Sequence, residues 1–427
     1  MDLDSLIVLG VGFVGVALLL LILANIAGAV PVHAAIYSAV WAPCLCISQV
    51  ALEGAVRPAI PTLIILVGAW WAFLIGSVLP LVAGRVRSAG SVVEVLKLPA
   101  LAALYVLLAL QWAGVLYEVF HLGESRGQSI SLSSLVDDLA GLRVTGATNE
   151  LHLPPLLGSF RWAHVIYVPL ALILRRKQYI SRAHFLGICA LAVVSALMHF
   201  TRAPIVQLSV VLFVAWLELY RPSRRTKWIS AIATSVVLLA VFVAAQVAIN
   251  EQSTKPTSLQ GSLSSYFGMS PIAYEDILKG GYPREPGFYT LDSAYFFLTK
   301  AGVPVVYPGQ SRPQIWFPAV TNVYSYLDVF TLDAGVTGAI LGAGLVGVGC
   351  SWVYKANRRR STLATLSMYA YLCYCCLMTP INNEFIRATT LITLFLSWLA
   401  TRLIGAHPRR VPAENVVGIL KDAAGSG

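Results

Sequence analysis

The sequence predicts an all-α, polytopic membrane protein, and its composition and hydropathy carry that prediction. Apolar residues make up 57% of the chain and charged residues only 12%, and the mean hydropathy is +0.74. A soluble domain does not need so large an apolar fraction to fill its core. Apolar runs of about 18 to 24 residues recur along the chain, and each is long enough to cross a bilayer of roughly 30 Å.

These apolar runs predict about eleven transmembrane helices. Their windows lie near residues 5–29, 33–52, 59–83, 98–119, 159–175, 183–200, 203–220, 228–249, 333–354, 362–380 and 385–404. The chain shows no internal repeat and no low-complexity tract.

Basic clusters predict how these helices are oriented. They follow the third, fifth, seventh and ninth windows and recur in the tail, as Arg85, Arg87 and Lys97; Arg175, Arg176, Lys177 and Arg182; Arg221, Arg224, Arg225 and Lys227; Lys355, Arg358, Arg359 and Arg360; and Arg402, Arg409 and Arg410. Because basic loops stay in the cytoplasm, every second loop and the C-terminus are predicted to be cytoplasmic, and the N-terminus lies outside. The net charge of +10 therefore reflects membrane topology and not a nucleic-acid partner.

The predicted topology divides the chain into four parts. Residues 1–249 hold helices 1–8 with an outer loop near 121–157, residues 250–332 form a large outer loop, residues 333–404 hold helices 9–11, and residues 405–427 form a cytoplasmic tail. Connections as long as the second outer loop are usually functional or disordered. Its aromatic residues and prolines favour a folded cap with short helices.

The sequence contains no recognisable metal or cofactor motif. The seven cysteines lie in or beside apolar runs, with no histidine at metal-ligand spacing from them, which is typical of small apolar core residues. The outer carboxylates between Glu251 and Glu384 form no DxD pair, so neither a metal nor a cofactor is predicted. The glycines of GAGLVGVG, residues 342–349, are interpreted as helix-packing residues.

Arginines on the predicted outer side are the main candidates for binding an anion. Arg202 lies in HFTRAP, in the turn between the sixth and seventh windows, and His199 shares its helical face three residues earlier. Its guanidinium is suited to phosphate oxygens, although an arginine at this depth can also serve as an interfacial anchor. Arg161, Arg312 and Arg387 approach the same surface, and the last two adjoin helix mouths.

The ninth window opens on Asp333 in the stretch LDAGVTG. A carboxylate in the first turn of a helix is a good cap, and this interpretation stands beside a direct role in chemistry. The choice of a general base is left open among Asp328, Asp333, Glu384 and His199, and positioning of the attacking group without a base is a further alternative.

The segment from Thr321 to Gly338, TNVYSYLDVFTLDAGVTG, resembles the outer-loop-to-helix segment of bacterial Wzy-type O-antigen polymerases. The matching residues are Asn322, Val323, Tyr324, Asp333, Gly335 and Gly338, together with the earlier Thr201-Arg202-Ala203-Pro204 and the later Asn382, Asn383 and Phe385. Ala334 stands where the family typically has phenylalanine. With the number of spans and the large outer loop, the resemblance extends over nearly the whole chain.

The resemblance implies a GT-C-like glycosyltransferase of the bacterial inner membrane, with its active face in the periplasm. Such an enzyme joins oligosaccharide repeat units carried on undecaprenyl pyrophosphate, without a metal, and works beside a separate chain-length regulator. In such an enzyme Arg202, which lies in the matching element, and Arg312, at a helix mouth, are predicted to bind pyrophosphate, with Arg387 as a third candidate. Asp333 is a candidate for catalysis. Asn322, Tyr324 and Tyr326 would contact sugar, with Arg161 and His199 as further substrate-binding residues.

Three other functions are compatible with the same residues. An O-antigen ligase, or another lipid-linked glycan transferase, would share the large outer loop and the arginines. A lipid-linked oligosaccharide flippase is less favoured, because transporters commonly show internal repeats and polar residues at mid-membrane, whereas the ionisable residues here gather at helix ends. A purely structural assembly scaffold is also open.

Overall fold

The computed structural model describes residues 3–49, 57–83, 95–125, 160, 162–198, 203–223, 225–226, 229, 268–280, 287–305, 315–317, 319–321 and 325–404. Helices dominate these residues. In chain order they are α1 (Leu3–Ala27), α2 (Val32–Gln49), α3 (Ile60–Val82), α4 (Lys97–Ser125), α5 (His164–Arg176), α6 (Arg182–Leu197), α7 (Ala203–Tyr220), α8 (Met269–Lys279), α9 (Asp292–Lys300), α10 (Leu327–Arg359), α11 (Leu363–Met378) and α12 (Ala388–Leu403).

Five of these helices, α1, α3, α4, α7 and α10, are long and apolar enough to cross a membrane. A bilayer core of roughly 30 Å needs about 20 apolar residues in a helix, and these five meet that requirement by length and composition. Helices occupy every predicted window except 228–249, which falls almost entirely outside the described residues. The chain is therefore a helical protein with membrane-spanning segments, and the total of eleven spans stays a prediction.

One short strand pair departs from the purely helical expectation. Strands β1 (Ile315–Phe317) and β2 (Ala319–Thr321) pair antiparallel, with Trp316 opposite Val320. Both strands are built from aromatic, β-branched and small residues, the first two of which favour extended backbone. The predicted short helices of the same loop are represented by α8 and α9, of 11 and 9 residues.

Helices α3 and α10 run in the same direction and make backbone contact where they cross. A Cβ atom at Gly76 would lie 2.1 Å from the carbonyl oxygen of Gly344, and one at Gly347 would lie 2.1 Å from that of Phe73. Small residues permit such backbone contact between membrane helices. Gly344 and Gly347 thus pack helices as predicted. On the far side of α3, the Trp71 indole donates to the Gly12 carbonyl of α1 at 3.1 Å.

The two ends of the helix bundle differ in charge. At one, here called the basic end, Arg176 of α5 donates to the Leu219 carbonyl of α7, and Arg358 of α10 lies 3.9 Å from Glu218 of α7. The opposite end, here called the loop end, carries α8, α9 and the first turns of α3, α10 and α12. Residues from separate basic clusters of the sequence therefore meet at a single end.

Helix α10 is interrupted near its start. Ala334 has φ −140° and ψ 17°, and Gly335 has φ 67° and ψ −158°, so helical backbone covers residues 327–333 and 336–359. The long helical segment begins at residue 336, within three residues of the predicted start at Asp333, but an additional short segment precedes it and begins at Leu327. There Ser325 Oγ accepts from the Leu327 N–H at 3.1 Å and donates to Asp328 at 2.8 Å. These bonds hold the first turn.

We expect Gly335→Ala to destabilise the protein by about 1–3 kcal/mol, because its dihedral angles lie in a region open essentially to glycine alone. Gly349→Ala in the same helix is the matched control, since a Cβ there meets nothing within 4 Å. Thermal unfolding in a mild detergent measures both variants. Equal unfolding temperatures for the two would contradict the strain assigned to Gly335.

Candidate functional site

The structure describes three of the nine residues predicted to form the site, and all three lie at the loop end. They are Tyr326, just before α10, Asp333, at the interruption of α10, and Arg387, just before α12. The other six lie outside the described residues: Arg161, His199, Arg202, Arg312, Asn322 and Tyr324. The geometry of the site is therefore built from the first three and their neighbours.

Tyr326 is fully buried between α2, α10 and α11. Its hydroxyl lies 2.7 Å from that of Tyr37, and its backbone N–H donates to the Thr379 carbonyl at 2.8 Å. The rings of Trp41 and Phe385 lie 6.4 and 6.3 Å away, centre to centre. In this arrangement the tyrosine holds the start of α10 against α2, and its ring has no face open to a sugar.

Asn383 connects the turn between α11 and α12 to the backbone of Tyr326. Its amide donates to the Tyr326 carbonyl at 3.0 Å, and its side-chain oxygen accepts from the Phe385 N–H at 3.1 Å. The side chain is buried, so both polar atoms need these partners. The turn that carries the next two polar residues, Glu384 and Arg387, is consequently fixed relative to α10.

Arg387 and Glu384 form an ion pair at the first turn of α12. Arg387 Nη1 lies 3.3 Å from Glu384 Oε1, and the exposed fractions of the two side chains are 47% and 8%. The backbone N–H groups in the first turn of a helix have no partner within the helix and favour anions. An exposed guanidinium and a helix N-terminus therefore meet at one place, and both attract negative charge.

Asp333 accepts hydrogen bonds from the segment before α9 and not from its own helix. The backbone N–H groups of Tyr289 and Thr290 donate to its two carboxylate oxygens at 2.9 and 2.8 Å, and the Thr290 hydroxyl donates as well. The predicted cap at the start of the ninth span is wrong in this respect, since the carboxylate holds a distant stretch of chain.

Helix α9 connects Asp333 with the arginine. The Ser293 hydroxyl, in its first turn, donates to the Ile386 carbonyl, which directly precedes Arg387. The segment that Asp333 binds at Tyr289 and Thr290 thus continues onto the start of α12. The loop end is a connected structure in which α9 bridges the interrupted helix and the arginine.

Helix α8 is attached to the rest of the loop end through two polar side chains. Glu275 accepts from the Ala59 N–H at 2.5 Å, at the start of α3, and the Tyr274 hydroxyl lies 2.8 Å from that of Thr331. Burial raises the pKa of Tyr274, the Thr331 hydrogen bond lowers it, and the nearby Asp328 carboxylate raises it further. Tyr274 therefore stays protonated and serves as a hydrogen-bonding group.

Sequence analysis missed the contribution of α2 to this end. Tyr37 and Trp41 lie four residues apart on one helical face, and the Trp41 indole donates to Thr379 Oγ1 at 3.0 Å. The signal that the sequence offered for this contribution was the spacing of two aromatic residues, each of which carries a polar group at its tip. No sequence pattern, however, names their partners in α11 and before α10.

The chain matches no protein-family model, no curated protein and no solved structure. Among the described residues, no group of three or more histidine, cysteine, aspartate or glutamate side chains is placed to hold a metal ion. The geometry at the loop end supports binding of an anion by Arg387 and the α12 N-terminus, beside a rigid and polar support.

Proposed function

We propose that this chain is a Wzy-type repeat-unit polymerase that joins lipid-linked oligosaccharides at the loop end. The observation that carries the proposal is the exposed guanidinium of Arg387 at the N-terminus of α12. Pyrophosphate is a concentrated anion that both groups attract. A substrate held by a polyprenyl chain in the bilayer would bring its pyrophosphate to a helix mouth, where Arg387 lies.

In the proposed reaction, a hydroxyl at the non-reducing end of the incoming unit attacks the anomeric carbon of the growing chain. A glycosidic C–O bond forms, and the C–O bond to the pyrophosphate breaks. The electron pair leaves with undecaprenyl pyrophosphate, and the hydroxyl proton passes to a carboxylate or to water. Arg387 would stabilise the charge that develops on the leaving phosphate. Glu384 orients the guanidinium through their ion pair at 3.3 Å.

The proposed setting is the bacterial inner membrane, with the loop end in the periplasm and the basic end in the cytoplasm. The alternation of basic clusters supports this orientation. A separate chain-length regulator would be a partner of the polymerase, as the family resemblance implies. Arg202 and Arg312 are proposed as further pyrophosphate-binding residues.

We expect Arg387→Gln to reduce polymer formation by about 100-fold, a typical effect of losing one charge-stabilising donor. Cells lacking the gene would be complemented with wild type, Arg387→Gln, Arg387→Lys or Arg202→Ala, and the glycan separated on gels. Wild type should restore a polymer ladder, whereas the glutamine variant should leave lipid capped by a single unit. Arg402→Gln, at the basic end of the same helix, is the matched control and should restore the ladder.

The same gels separate the alternatives. A ligase or a flippase is required even for a single capped unit, so its loss would remove that band from the deletion cells. A deletion strain without single-unit capping would therefore contradict the polymerase. A full ladder from Arg387→Gln at normal protein level would show that this arginine is not part of the site. The Arg202→Ala variant would then test the polymerase proposal.

A further inference from the structure

A cleft at the basic end is lined by three cationic side chains. It has a volume of about 460 Å³ and lies between the last turns of α10 and the start of α11, lined by Trp352, Lys355, Arg359, Arg360, Thr362 and Thr365. Trp352, Lys355 and Arg359 lie on one face of α10, because residues three and four apart share a face. None of the lining residues is acidic.

Glu218, a carboxylate that contacts the last turns of α10, is not among the residues that line the cleft. Glu218 of α7 accepts from the Asn357 amide at 3.3 Å and lies 3.9 Å from Arg358. Arg358 also lies over the Tyr354 ring, 5.9 Å from its centroid. Arg358 is therefore paired with Glu218, whereas Arg359 and Arg360 have no ion pair with any residue that the structure describes.

Of the three cations, Lys355 gives the strongest indication that the cleft binds an anion. It is only 7% exposed, and its ammonium donates to the carbonyl of Pro80 in α3. That carbonyl is neutral and accepts one of the three protons of the ammonium. A buried cation without a counter-charge is costly, and across the described residues no carboxylate forms an ion pair with Lys355. An anion in the cleft would supply the missing charge.

Trp352 indicates where that anion comes from. Its side chain is 72% exposed and lies about one helical turn from Lys355 toward the middle of the bundle. Exposed tryptophan on a membrane helix prefers the level of the lipid headgroups. The opening of the cleft is therefore expected at headgroup depth, where phosphate is carried by lipid.

The start of α11 forms the rigid floor of the cleft. Thr362 Oγ1 accepts from the Thr365 N–H at 3.1 Å, and Thr365 Oγ1 accepts from the Thr362 N–H at 2.9 Å. These reciprocal bonds hold the first turn of the helix. The positive end of its dipole points toward the cations.

We propose that this cleft binds the phosphate of an anionic phospholipid headgroup through Lys355, Arg359 and Arg360. The proposal is independent of the transfer reaction at the loop end. The bound lipid would neutralise Lys355 and join α10 to α11 at the membrane surface.

Native mass spectrometry of the full chain in mild detergent tests the proposal, with dioleoylphosphatidylglycerol as the probe. We expect R359Q/R360Q to bind this lipid about tenfold more weakly than wild type, since each cation near an anionic membrane surface contributes measurably. Both arginines are exposed, so their loss should leave the fold intact. Arg402→Gln is the control, because Arg402 is exposed at the same end and lies over Trp398, 5.6 Å from the ring centroid.

Two competitors identify the source of the phosphate. Dioleoylphosphatidylcholine should displace the anionic lipid poorly, and glycerol 3-phosphate should displace it only at far higher concentration. Equal binding of phosphatidylglycerol by R359Q/R360Q and wild type would overturn the site. Displacement by glycerol 3-phosphate at the same concentration as by lipid would overturn the assignment to a membrane headgroup.

Discussion

Gly347→Ala should separate α3 from α10 and destabilise the protein by about 3 kcal/mol, the upper range for overpacking a core. A Cβ atom at this position would lie 2.1 Å from the carbonyl oxygen of Phe73 and 3.1 Å from the Ser77 nitrogen. Both are backbone atoms, so no side chain can rotate away to make room. Relief requires the two helices to move apart, which loosens the packing around their crossing.

Thermal unfolding in mild detergent, followed by size-exclusion chromatography of the heated sample, measures this effect. Gly349→Ala is the matched control, because the added methyl group meets nothing within 4 Å and alanine is the better helix former. We expect the control to be neutral or slightly stabilising. An unfolding temperature for Gly347→Ala equal to that of the control would show that the helices do not cross as closely as described.

Asp333→Ala should cost about 3 kcal/mol and release the segment before α9. The carboxylate is buried and accepts from two backbone N–H groups and the Thr290 hydroxyl. Removing it leaves buried donors unsatisfied, at about 1–3 kcal/mol each, partly relieved by water. Asp333→Asn should cost less, because its amide retains one acceptor oxygen.

Hydrogen exchange at the amides of Tyr289 and Thr290 reports directly on these bonds. Both amides should exchange faster in Asp333→Ala and, to a smaller extent, in Asp333→Asn. Asp276→Asn in α8 is the control, since Asp276 is only partly buried and should not affect either amide. Unchanged exchange together with complete loss of polymer would contradict the structural role and favour the predicted role of Asp333 in catalysis.

For Asp333 and Arg387, the sequence predicted a position near a helix mouth but not the partners of either side chain. Both were identified by residue type and by position near a helix mouth. Arg387 is exposed at the first turn of α12, because a charged residue directly before an apolar helix lies at the end of that helix, outside its apolar part. Asp333 is occupied by Tyr289 and Thr290, more than forty residues earlier, and no local pattern specifies such partners.

Tyr326 illustrates the same limit for an aromatic residue. Its position in a polar and aromatic segment predicted contact with sugar, yet its ring is buried and its hydroxyl meets Tyr37. An aromatic ring with a polar tip suits either environment. Burial depended on α2 lying beside α10, which is a matter of helix packing.

The sequence by itself determined that this protein is helical, has membrane-spanning segments and gathers its basic residues beside them, because bilayer thickness and charge act on short stretches of chain. Only the tertiary structure decided where α10 breaks, which residues Asp333 holds, and which cations of α10 face a cleft while Arg358 faces Glu218. These features depend on contacts between residues far apart in the chain. Their energies arise from the particular neighbours that each side chain meets after the helices have packed.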